Sequence, residues 1–225
     1  LTCVNIANNV YEQGRSSIYF TIEMDSRSIL QRMCALGARI PIGRLANRNL
    51  TNVEWNRVAE WWAGRFEGGV ELLPEFYDTR EFDGFHKKLQ SKPLHRDRQL
   101  DVVYDPVLSL SRIRQELEAK VSQTDVGVII VDYLNQVKRS NVPSKSGQYD
   151  WTEQIEVSKT LKSIAQEYSI PVFAPYQTDN SGEARFAKGI LDAADAAFTM
   201  ETWSPEDNAI TFNCTKMRSA KMEGF

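Results

Sequence analysis

The sequence predicts an α/β domain built on a mostly parallel sheet, and three short apolar runs carry that expectation. Ile18-Tyr19-Phe20-Thr21-Ile22 stops at Glu23, Val128-Ile129-Ile130-Val131 stops at Asp132, and Ile170-Pro171-Val172-Phe173-Ala174 runs on to Gln177. Short β-branched runs without polar alternation read as strands buried on both faces of a sheet. Ligands of such sheets sit outside the carboxyl ends of the strands. Two carboxylates and an amide at those ends suggest a metal-nucleotide site.

Composition sets the outer bounds. A chain of 225 residues, 42% hydrophobic and 25% charged, fits one α/β domain. No apolar run approaches the roughly 20 residues that cross a membrane, and Leu1-Thr2-Cys3-Val4-Asn5 has no basic leader. Cys3, Cys34 and Cys214 lack metal-type spacing and read as reduced thiols in a cytosol-like compartment. A net charge of −3 argues against a generally basic surface for duplex DNA but leaves room for a locally basic channel.

Taken in order, Val4, Ile6, Ala7 and Val10 have helical spacing and Gly14 is placed to end that helix. The Ile18–Ile22 strand follows. Asp25 or Ser26 caps a helix carrying Ile29, Leu30, Met33, Cys34 and Leu36. Thr51 and Glu54 form a capping box ahead of Trp55, Val58, Ala59, Trp61 and Trp62. Residues 67–100 hold Gly68-Gly69, both histidines, His86 and His95, and the cations Lys87, Lys88, Lys92, Arg96 and Arg98. That segment reads as an insertion or excursion, a solvated charged loop rather than a nucleic-acid patch, and the histidines lack a metal-ligand set.

Val102-Val103-Tyr104 is a short strand, and Ser109 or Ser111 opens a helix through Ile113, Leu117 and Val121. After the strand to Asp132, Lys138 to Asp150 is a polar segment that reads as a mobile loop. Ile155, Val157, Leu161, Ile164 and Ala165 mark an amphipathic helix leading into the Ile170–Ala174 strand, and Thr178 to Gly189 is a second polar loop. Ala196–Met200 and Ala209–Cys214 close the pattern as a hairpin-like, antiparallel strand pair, turning at Asp207-Asn208.

The wording of these segments resembles one family. Tyr19-Phe20-Thr21-Ile22-Glu23-Met24 resembles the strand–Glu–Met motif of DnaB-type replicative helicases, and Asn5-Ile6-Ala7 with Gly14 is similar to the helix after their P-loop. Val128 through Leu134 is similar to their Walker B segment, and Ser158 through Ala165 with Ala174-Pro175-Tyr176-Gln177 resembles the helix and Gln-bearing strand that follow. Asp192-Ala193-Ala194-Asp195 resembles their acidic motif, and Lys216-Met217-Arg218 their Lys-x-Arg.

The resemblance implies a single RecA-like motor domain over residues 1–225, starting just after the P-loop, with 67–100 as an insertion or excursion. It implies NTP-driven translocation on single-stranded DNA by a ring, usually a hexamer, in the cytoplasm, with primase and a helicase loader as further partners. By position, Glu23 is then the general base, Asp132 orders Mg²⁺ through water, Gln177 senses the γ-phosphate of ATP or another NTP, and Lys216 and Arg218 reach the neighbour's nucleotide. Residues two apart on a strand point the same way, so both cations can face one phosphate.

Two departures follow. A Gly-x-x-x-x-Gly-Lys-Ser/Thr loop is absent from the 225 residues, so weak or no NTP binding is expected of this chain in isolation. The family's Arg–Glu pair before the acidic motif is here Ala184-Arg185-Phe186-Ala187, which leaves Arg185, with Lys188 nearby, as the DNA-binding residues. The divergence of that loop and of 67–100 suggests a phage- or prophage-encoded version. Other readings stay open: another RecA-like NTPase of recombinase or clock type, or a non-catalytic assembly protein that keeps the fold.

Overall fold

A computed structural model describes residues 1–139, 151–177, 187–201 and 209–218. Helix α1 (Thr2–Glu12) turns Val4, Ala7 and Tyr11 inward. It ends with Gly14 at φ +90, where the Gly14 amide donates to the Tyr11 carbonyl and the Arg15 amide to Val10. This is the six-to-one, five-to-two pattern of a Schellman stop, and glycine takes the left-handed conformation without steric cost. Strand β1 (Ser16–Thr21) follows with every residue buried. Asp25 caps α2 (Ser26–Gly37) by accepting from the Ser28 amide at 2.7 Å.

Four parallel strands form the main sheet in the order β2 (Leu100–Tyr104), β1, β3 (Val126–Asp132), β4 (Val172–Phe173). Pairing Ile18 with Ile129 and Tyr19 with Ile130 puts alternate side chains of β1 and β3 on opposite faces. Ile18, Phe20, Ile129 and Val131 pack beneath α7 (Leu110–Val121) and α8 (Trp151–Tyr168). Tyr19, Val128 and Ile130 pack against Val4, Ala7, Ile29 and Met33 of α1 and α2. Both faces of the central strands are therefore covered, as their unbroken apolar runs predict.

The third run differs from its expectation. Only Val172 and Phe173 pair as strand, and β4 is half-exposed. Pro171 and Pro175 bracket it, and proline has no amide hydrogen to donate. Their carbonyls still extend the pairing by accepting from the Ile129 and Leu134 amides at 3.0 Å. Beyond it, β5 (Ala196–Glu201) and β6 (Thr211–Met217) form a separate antiparallel pair. Of the second polar loop, 178–186 lies outside the described residues, and Gly189 belongs instead to helix α9 (Ala187–Ala193). The remainder of the first polar loop beyond Arg139 and the turn at Asp207-Asn208 also lie outside the described residues.

Residues 67–100 correct the expectation of a solvated loop. After α3 (Ile42–Ala46) and α4 (Asn52–Ala63), the segment folds into α5 (Leu73–Thr79) and α6 (Phe82–Gln90) before β2. Leu73, Phe76, Phe85 and Leu89 bury against Ala59, Ala63 and Phe66 in a core of their own. Complete burial of side chains such as Phe76 and Leu89 is worth roughly 1.5–3 kcal/mol each. Most of the segment's charged residues are exposed, where Lys88 pairs with Glu75 and Asp83 with Arg48, while the half-buried Arg98 packs over the Tyr11 ring of α1 at 4.9 Å. Arg65 joins this helical lobe to the sheet. It is 6% exposed, its guanidinium lies 5.1 and 5.2 Å from the ring centres of Trp61 and Trp62, and it donates to the Leu100 carbonyl at 3.0 Å.

Candidate active site

Strand register gathers three of the expected residues. Thr21 pairs with Asp132 on one side and Tyr104 on the other, so β1 and β3 end level. The Ile22 amide still donates to the Asp132 carbonyl at 3.2 Å, and Glu23 comes next. Because β4 runs parallel to β3, Gln177, four residues past Phe173, leaves from the same edge. Glu23, Asp132 and Gln177 thus share the carboxyl rim of one sheet. Glu23 and Gln177 are exposed and Asp132 is half-buried. Among the described residues the carboxylate of Glu23 and the side-chain amide of Gln177 make no hydrogen bond.

Three residues near this rim escaped the sequence reading. Tyr19, 1% exposed, donates its hydroxyl to Asp132 Oδ2. Burial, and then the Asp132 carboxylate, push the Tyr19 hydroxyl above its ordinary pKa, so it remains a donor. Cys3, on α1, feels the same carboxylate; burial first, then the Asp132 charge, push its thiol up to about 11. Asn135 is the third. Its Nδ2 donates to the Gln177 carbonyl at 3.1 Å and its Oδ1 accepts from the Gln177 amide at 3.0 Å. Tyr19 has a sequence signal: it shares strand parity with Thr21 and is the polar-tipped member of an apolar run. Asn135 has none, since its partner lies 42 residues away.

Residues 1–189 match the family model described as DnaB-like helicase C terminal domain. The chain is a member of the DnaB-like helicase C-terminal domain family. It is 24% identical over 188 residues to a probable replicative DNA helicase of Trieres chinensis, covering 83% of this chain and 34% of that protein. It is 25% identical over 183 residues to the replicative DNA helicase DnaC of Bacillus subtilis, covering 81% of this chain and 33% of that protein. The chain thus spans about a third of the length of these relatives. A solved structure described as an ATPase domain superposes with a TM-score of 0.67 at 14% identity, covering 97% of this chain and 72% of that one. A DnaB-like replicative helicase, solved in a study of its interactions with primase, gives 0.66 at 14% identity, covering 95% of this chain and 48% of that one. These likenesses fix the fold as RecA-like.

Two further expected residues of this DnaB-like chain, Lys216 and Arg218, are not on the rim. Lys216 and Arg218 emerge together at the end of β6 and converge on the last turn of α9. Lys216 Nζ donates to the Leu191 and Asp192 carbonyls at 2.6 and 3.1 Å, and Arg218 Nη2 donates to the Asp192 carbonyl at 2.9 Å. Cations there satisfy otherwise unpaired carbonyls and oppose the helix dipole. Asp195 holds the cluster: its carbonyl accepts from the Arg218 amide at 2.8 Å, and its carboxylate takes Lys162 and, at 3.5 Å, Arg218. Lys162 keeps that carboxyl below the ordinary carboxylate range. The Arg218 side chain is nevertheless 52% exposed, so it retains a solvent-facing surface. Lys188 lies on α9, and Arg185 falls outside the described residues.

Proposed function

We propose that this chain is the NTP-hydrolysing motor portion of a ring-forming replicative DNA helicase. The observation that carries the reading is the sharing of one sheet rim by Glu23, Asp132 and Gln177, in a member of the DnaB-like family. Glu23, exposed and unpaired among the described residues, acts as the general base on the attacking water. Gln177 senses the γ-phosphate. Asp132 fits Mg²⁺. One carboxylate oxygen is occupied by Tyr19 and the other accepts no hydrogen bond among the described residues. No cluster of three or more His, Cys, Asp or Glu stands ready as a protein cage among the described residues. A single carboxylate is how Mg²⁺ is held when waters and nucleotide phosphates supply the other ligands. Bound there, the ion would neutralise charge developing on the phosphates.

Arg218, with Lys216 anchored behind it, reaches the nucleotide of an adjacent subunit in a head-to-tail ring, whose contacts join unlike surfaces. Single-stranded DNA is the track, gripped through Arg185 and Lys188. Primase and a loader are partners of the assembled ring, which works in the cytoplasm. No helix among the described residues is long and apolar enough to cross a membrane.

The test is single-stranded-DNA-stimulated ATP hydrolysis and duplex unwinding by the full-length protein, beside a Glu23→Gln variant. The expected result is unwinding by the parent and a loss of about 10²–10⁴-fold in hydrolysis by the variant at unchanged nucleotide affinity. Hydrolysis without unwinding points to another kind of RecA-like NTPase; neither activity points to an assembly protein.

A further inference from the structure

We propose that Asn135 is a positioning residue that holds Gln177 at the rim, acting through the Gln177 backbone. The inference rests on the reading of Gln177 as the phosphate sensor and adds what keeps it in place.

Asn135 lies three residues past Asp132, in a short 3-10 turn over Leu134–Gln136. Gln177 lies past the end of β4, beyond Pro175, where the ladder with β3 has stopped. The last backbone bond between the two segments runs from the Leu134 amide to the Pro175 carbonyl at 3.0 Å. The Asn135 side chain then takes over. Its amide presents one donor and one acceptor to the donor and acceptor of a single residue, as a neighbouring strand would, at 3.1 and 3.0 Å. The Gln177 amide hydrogen requires an oxygen opposite it, which fixes the orientation of the Asn135 amide. The turn is itself braced, because Gln154 of α8, 5% exposed, donates to the Asn135 carbonyl at 3.2 Å.

The division of labour at Gln177 matters for function. Its backbone is bonded on both polar atoms, while its side-chain amide is exposed and makes no hydrogen bond among the described residues. A tethered backbone with a free side chain can meet a phosphate oxygen without first ordering the chain that carries it. The tether also starts on the segment that bears Asp132, so the proposed metal ligand and the sensor keep a fixed spacing.

Residue-resolved amide hydrogen exchange on this chain tests the clamp directly. Exchange at Gln177 should rise tenfold or more in Asn135→Ala and less in Asn135→Asp, which keeps the acceptor for the amide but sets a second oxygen against the Gln177 carbonyl. An unchanged rate in Asn135→Ala overturns the clamp. In the full-length protein, Asn135→Ala should lower DNA-stimulated hydrolysis about tenfold with KM for nucleotide unchanged. The Asn135→Ala/Gln177→Ala double variant should be no slower than Gln177→Ala alone. Additive losses overturn action through Gln177. Wild-type DNA stimulation in Gln177→Ala overturns the sensor reading instead, and the exchange rate still decides the clamp.

Discussion

The ring of Tyr19 is sealed among Val4, Ala7, Ile29 and Met33, and only its hydroxyl reaches the rim, at Asp132. Tyr19→Phe therefore removes one hydrogen-bond donor and leaves the packing untouched. A bond to a charged acceptor is worth about 1.5–3 kcal/mol. Asp132 is half-exposed, so water replaces part of it, and the expected loss is about 1 kcal/mol, read from urea unfolding at pH 7. At this scale the sequence was readable where a polar residue interrupts an apolar run, which is how Glu23, Asp132 and Gln177 stand out. Tyr19 hid inside such a run, where an aromatic is ordinarily packing. Asn135 hid because its bonds to Gln177 go to backbone, which leaves no mark on the identity of that partner.

Elements whose signals are local were legible, and those whose signals are distributed were not. The Thr51 side chain accepts from the Glu54 amide, and the Glu54 carboxylate accepts from the Thr51 amide at 2.8 Å, a reciprocal cap visible in four consecutive residues. Helices α5 and α6 were missed because Leu73, Phe76, Phe85 and Leu89 are outnumbered in their segment by charges and punctuated by prolines. The same lobe holds a titration. His86 sits 4.6 Å from the Trp62 ring and stacks on Phe82 at 5.8 Å, and its buried Nε2 has no partner among the described residues. Burial lowers its pKa below the ordinary 6.5, with Arg27 and Arg65 adding to the effect and Asp83 opposing it. As pH falls below about 6.5 the unfolded chain binds a proton that the folded lobe refuses, so stability declines until the folded pKa is passed. Thermal unfolding midpoints between pH 7.5 and 5 should show this decline, and His86→Phe, which keeps the stacking, should flatten it.

In the whole molecule, among the described residues, Glu23, Asp132 and Gln177 lie on the rim of the parallel sheet, while Lys216 and Arg218 lie together at the end of β6. Lys216 spends two of its three donors on carbonyls of its own chain, so the proposed reach across a subunit boundary is assigned to the half-exposed Arg218. Arg218→Ala in the full-length protein should cut DNA-stimulated turnover by about 10³-fold or more, the scale of an arginine supplied in trans, with nucleotide affinity largely intact. Wild-type turnover in that variant removes Arg218 from the mechanism. The parallel sheet was foreseeable from its buried runs, and so was the antiparallel pairing of β5 with β6; that this pair stands apart from the four-stranded sheet was not, because contacts between sheets are set by tertiary packing that strand propensity does not encode. The joint between lobe and sheet has a consequence of its own. Arg65 is held by two indole faces and a peptide carbonyl, with no carboxylate in hydrogen-bonding reach among the described residues. Dissolved ions screen exposed charges far more than buried ones, so concentrated electrolyte that dissolves surface pairs such as Arg48–Asp83 leaves the lobe seated.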